Sequence, residues 1–183
     1  MGFSRTVLAM TTLEMPESAL MLGGFVLAHA AWSISDAPDL LCPLAIIERG
    51  GERELLRFEA DAQSEAISKG KETLAGRVSD ADHWAFAREG LWNRNTSSDG
   101  TGAIDVISVD IWAKEARHSI TLIQRFEPYV KRQRFRLIGE PEISLDKHLQ
   151  DSFVVRQLLD MVYQGILQHP KVAPLWREWQ RNN

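Results

Sequence analysis

The chain has 183 residues, 44% hydrophobic and 25% charged, enough for one domain with its own core and no need of cross-links. Its formal charge of −4 gives no global attraction to nucleic acid or anionic membranes, so any role on a polyanion would rest on a local patch. Cys42 is the only cysteine, which excludes an intrachain disulfide and a cysteine-built zinc site.

Residues 1–15 show no clear hydrophobic period and are expected to form a loose arm or an edge strand. The run "ALMLGGFVLAHAAW" that follows resembles a secretory core. However, Arg5 is offset by Glu14 and Glu17 where a leader would be positive. His29 and two glycines also interrupt an apolar run shorter than the roughly 20 residues of a membrane span. A core helix starting at Pro16 is the expectation, with Leu20, Leu27, Ala31 and Ile34 at near-helical spacing and Gly23-Gly24 admitting a close neighbour. "SDAPD" ends it.

"PLAIIERGGERELLRF" reads as a hairpin turning at Gly50-Gly51. With those glycines as the loop, Arg49 opposes Glu52 and Glu48 opposes Arg53, which fixes the register. No lysine, hydroxyl residue or further glycine follows to make a phosphate loop. A second helix is expected over "ADAQSEAISKGKETLAG", with Asp61 as N-cap, Ala62, Ala66, Ile67, Gly70 and Leu74 on one face, and Gly76 as the stop.

"HWAFAREGLW", "AIDVISVDIWA", "SITLIQRFE" and "RFRLIG" are β-rich and predict a four-stranded antiparallel meander, its long polar connection being "NRNTSSDGTG". Period 2 places Asp110 and Trp112 on one face and Ile111 on the other, while Asp105 and Asp110 point oppositely and make no paired acid. In "YVKRQRFR", a strand over 132–138 would align Arg132, Arg134 and Arg136 about 7 Å apart, from about 3.3 Å of rise per residue. With Lys131 they form a candidate basic patch. Phe135 would point to the core, so the favoured reading is a solvated strand rather than a nucleic-acid surface.

Leu149, Phe153, Leu158, Val162 and Ile166 predict a long helix after Pro141, and Pro170 separates it from a short terminal helix over 171–181 carrying Trp176 and Trp179. The expected fold is therefore one α+β domain over 1–183: an antiparallel sheet, hairpin plus four-strand meander, with helices mainly on one face.

No histidine, acid or cysteine spacing marks a catalytic or metal centre, so no catalytic residue, metal or cofactor is assigned. His83 beside Asp80 and Asp82 reads as a turn, and Cys42 as a small apolar residue. Six tryptophans are the unusual element of composition. The favoured function is a non-catalytic cytoplasmic interaction module that binds a protein partner or a second copy through aromatic surface, on the sheet or at Trp176 and Trp179. The alternative is a small-ligand pocket or enzyme between sheet and helices, drawing on His29, Trp32, Asp110, Trp112 and Arg125. Neither membrane nor nucleic acid is the expected partner.

Overall fold

The computed structural model describes residues 14–93, 102–129, 134–144 and 152–181. In chain order these form α1 (Glu17–Ile34), β1 (Leu44–Arg49), β2 (Glu52–Arg57), α2 (Gln63–Ala75), β3 (His83–Asn93), β4 (Ala103–Ala113), β5 (Ile120–Glu127), β6 (Arg136–Ser144), α3 (Ser152–Gln168) and α4 (Ala173–Arg181). The strands make one open antiparallel sheet in the order β2-β1-β3-β4-β5-β6. The expected α+β architecture is what the chain adopts.

The hairpin has the register that charge pairing predicts, Arg49 opposite Glu52 and Glu48 opposite Arg53. Gly50 and Gly51 take φ of 57° and 82°, the left-handed region that a tight two-residue turn requires. Asp82 accepts the Gly50 N–H at 2.7 Å and Asp80 pairs with Arg49, so "DADHW" holds the hairpin tip. β1 then pairs with β3, which joins hairpin and meander. Because β1 is central, Leu44, Ala45, Ile46 and Ile47 are buried on both faces, whereas edge strand β2 is exposed and charged, which discourages further pairing.

α1 packs on β3, β4 and α3. The main core joins its Leu22, Val26 and Leu27 to Val109, Ile111 and Leu122 of the sheet and to Val162 and Ile166 of α3. Each such fully buried side chain contributes about 1.5–3 kcal/mol relative to exposure. The two helices cross at glycines: a Cβ on Gly24 would sit 1.9 Å from the Val162 carbonyl oxygen, and one on Gly165 1.9 Å from that of Met21. α2 covers the other face, where Leu74 packs with Ala45, Ile47, Phe58 and Phe86.

Several local expectations are corrected. The N-cap of α2 is Ala62 without a side-chain cap, not Asp61. β6 starts at Arg136, so Arg134 precedes the strand in an exposed bend, and Phe135 is buried. Residues 142–144 extend β6 rather than leading into α3, and Phe153 is 61% exposed instead of lining the core. The terminal helix begins at Ala173. The arm over 1–13, most of "NRNTSSDGTG", Lys131, Arg132 and Leu149 lie outside the described residues.

Candidate functional site

α1 is alanine- and leucine-rich and buried almost all round, so its half-buried positions stand out: Met21, Phe25, His29 and Trp32, spaced 4, 4 and 3 residues apart on one stripe. The stripe meets the turn between α3 and α4, which buries His169. The His169 ring lies 5.0 Å from Phe25, 5.4 Å from His29 and 6.1 Å from Trp32, centroid to centroid. His29 Nδ1 approaches His169 Nε2 to 3.2 Å.

A cation stands beside each half-buried ring of the stripe. Arg53 lies 5.2 Å over Phe25, Arg57 Nη2 is 3.5 Å from His29 Nε2, and Lys171 Nζ is 4.4 Å over Trp32. Arg53 and Arg57 project from one side of β2 because residues of a strand four apart share a face. Arginine carries only donors, so Arg57 meets a lone pair on His29 Nε2 and places the proton of the neutral ring on Nδ1. That Nδ1–H then donates to His169 Nε2. The environment favours this neutral chain: burial, then His169, Arg57 and Lys171, lower the pKa of His29 from 6.5 to about 4. Burial and then Lys171 lower that of His169 as well.

Arg53 is held by Glu48 at 2.9 Å. Among the described residues, Arg57 and Lys171 have no carboxylate in ion-pair contact. The surface is therefore a pair of neutral imidazoles flanked by Trp32 and Phe25, with Arg57 beside His29 and Lys171 over Trp32, neither cation paired with a carboxylate among the described residues. It can accept an anion, which would bring both charge and hydrogen-bond acceptors to Arg57 and Lys171.

The residues expected to share a pocket divide between the two faces of the sheet. His29 and Trp32 lie on the α1 side. Asp110, Trp112 and Arg125 lie on the other, where Asp110 accepts from Arg88 and, at 2.8 Å, from Thr121 Oγ1. There Trp112 stacks on Trp84 at 5.8 Å and Arg125 pairs with Glu142 at 2.9 Å. α2 covers the β1 and β3 end of this face, and Trp112 packs partly buried at the border of that cluster. A groove of about 450 Å³ lies elsewhere, between Glu140 in the middle of β6 and Arg156, Asp160 and Tyr163 of α3, and contains none of these five residues.

Trp176 and Trp179 are buried at 2% and 8% exposure, with Trp179 edge-on to Phe135 at 5.1 Å, so α4 docks onto its own sheet and neither ring forms open surface. Arg136 pairs with Glu127 at 2.8 Å. Among the described residues no three histidine, cysteine, aspartate or glutamate side chains gather as metal ligands.

Sequence reasoning found His29 and Trp32 but missed Phe25, Arg57, His169 and Lys171. Phe25 could have been found, since it lies four residues before His29 on the same helix face. His169 could not, because 140 residues separate it from His29 and no local pattern links them. No protein-family model matches this chain, and no curated protein or solved structure matches it either.

Proposed function

We propose that the protein is a non-catalytic cytoplasmic module that binds a partner protein, and that the Phe25, His29 and Trp32 stripe receives an acidic segment of that partner. The observation that carries this reading is the charge balance of the surface. Elsewhere the arginines of the sheet are neutralised, as in Arg88 with Asp110, Arg125 with Glu142 and Arg136 with Glu127. Arg57 and Lys171 instead flank half-buried aromatics with no carboxylate beside them among the described residues. Leu55, 45% exposed and between Arg53 and Arg57 on the same side of β2, adds an apolar rim. Aromatic anchors beside positive charge suit a partner that is acidic as well as apolar.

The test is an array of synthetic peptides of graded Asp and Glu content, probed with the full chain and with Arg57→Gln/Lys171→Gln. Acidic peptides should bind the wild type and be lost in the double variant, while Arg49→Gln, an exposed arginine at the hairpin, keeps them. Equal binding of neutral and acidic peptides, or full retention by the double variant, contradicts the proposal.

A further inference from the structure

The same surface distinguishes among anions, and we infer that it prefers a phosphomonoester to a carboxylate. This deepening rests on the acidic-partner reading above. Arg57 and Lys171 are two positive charges without an ion-pair partner among the described residues, one beside the His29 ring and the other over the neighbouring Trp32 ring. A carboxylate brings one negative charge and leaves the other cation uncompensated. A phosphomonoester brings about −1.5 to −2 at pH 7 and three acceptor oxygens, which matches the two cations.

The donors suit that geometry. The Arg57 guanidinium offers a planar fork and Lys171 a compact charge with three donors. Lys171 lies over Trp32 and the Arg57 guanidinium beside His29, so both cations are held by rings that line the site. His169 fixes the other side of His29, since its Nε2 receives the Nδ1–H and orients Nε2 outward. Both cations are exposed, so replacing them tests binding without emptying the core.

The measurement is an NMR titration of the His29 and His169 ring resonances of the full chain at pH 7 and constant ionic strength. Separate arms use inorganic phosphate, acetate, a phosphoserine peptide, the same peptide without phosphate, and Zn²⁺. Phosphate and the phosphoserine peptide should give saturating shifts at His29, and Arg57→Gln or Lys171→Gln should each weaken them about tenfold or more. Arg49→Gln should leave them unchanged. A stronger response to the phosphopeptide than to free phosphate identifies a modified protein as the source, and the reverse identifies a small phosphate ester. Equal responses to acetate and phosphate overturn the inference while the acidic-partner reading stands. No response to any anion overturns both. Saturation by Zn²⁺ without a phosphate response overturns the inference by making the two imidazoles metal ligands.

Discussion

His29 Nδ1 lies 3.2 Å from His169 Nε2, so one imidazole pair joins α1 to the turn between α3 and α4 across 140 residues of sequence. Both rings pack against Phe25 or Trp32, and both are disfavoured as cations. Acid should therefore act on this junction.

In the fold, burial, His169, Arg57 and Lys171 hold the His29 pKa at about 4, against 6.5 in an unfolded chain. The unfolded state then binds more protons within that window, so stability is lost as pH falls from about 6.5 to about 4 and is insensitive to His29 above it. Allowing for solvent screening of a half-exposed ring, the loss is about 1–2 kcal/mol. Denaturant midpoints across this range should fall further for the wild type than for His29→Gln. Parallel curves would show that the ring titrates normally.

The helix crossing predicts a large cost for one methyl group. Gly24→Ala and Gly165→Ala each place a Cβ 1.9 Å from a facing backbone oxygen, and a carbonyl cannot rotate away as a side chain can. Each should destabilise by about 1–3 kcal/mol or more, the scale of overpacking in a filled core. An unchanged urea midpoint in either variant would place the crossing elsewhere.

At the hairpin, Gly50→Val with Gly51→Val forces branched residues into positive φ, at about 1–3 kcal/mol. A Cβ at either position meets nothing within 4 Å, so the cost is one of backbone conformation and not of packing. Gly50→Asn with Gly51 retained should be tolerated far better, because asparagine accepts the left-handed region. Equal midpoints for the two variants would contradict this.

Burial of Trp176 and Trp179 against the chain's own sheet predicts that truncation after Pro170 lowers stability at every protein concentration. Trp176→Ala alone should cost about 3–5 kcal/mol. If the full chain sediments as a dimer and the truncated one as a stable monomer, α4 docks between copies instead.

What the sequence revealed follows the range of the forces involved. The hairpin register was legible because Glu48, Arg49, Glu52 and Arg53 lie within one turn, and the meander because period 2 is a local signal. The glycine notch on α1 was also visible, though not its partner: Gly24 meets Val162 and Gly165 meets Met21, contacts set by tertiary packing. The start of β6 was misplaced because Arg132, Arg134 and Arg136 continue an alternation that the chain does not adopt at Arg134. For the candidate site, His29 and Trp32 were recognisable as a polar-aromatic pair on an apolar helix. Grouping them with Asp110, Trp112 and Arg125 failed because nothing in the sequence says on which side of the sheet α1 will lie. Arg57 and Lys171 look like ordinary surface cations until β2 and the α3–α4 turn bring them to the same rings.

The central claim is that Arg57 and Lys171, without a carboxylate partner among the described residues, lie beside a neutral histidine pair and its neighbouring Trp32. It is tested most directly by the NMR pH titration of the His29 ring in the wild type and in Arg57→Gln/Lys171→Gln. The account predicts a pKa of about 4 in the wild type and a small rise in the double variant, where the two larger causes, burial and His169, still hold the ring below 6.5 but both cations are gone. A wild-type value near 6.5, or one that the double substitution leaves in place, would contradict it.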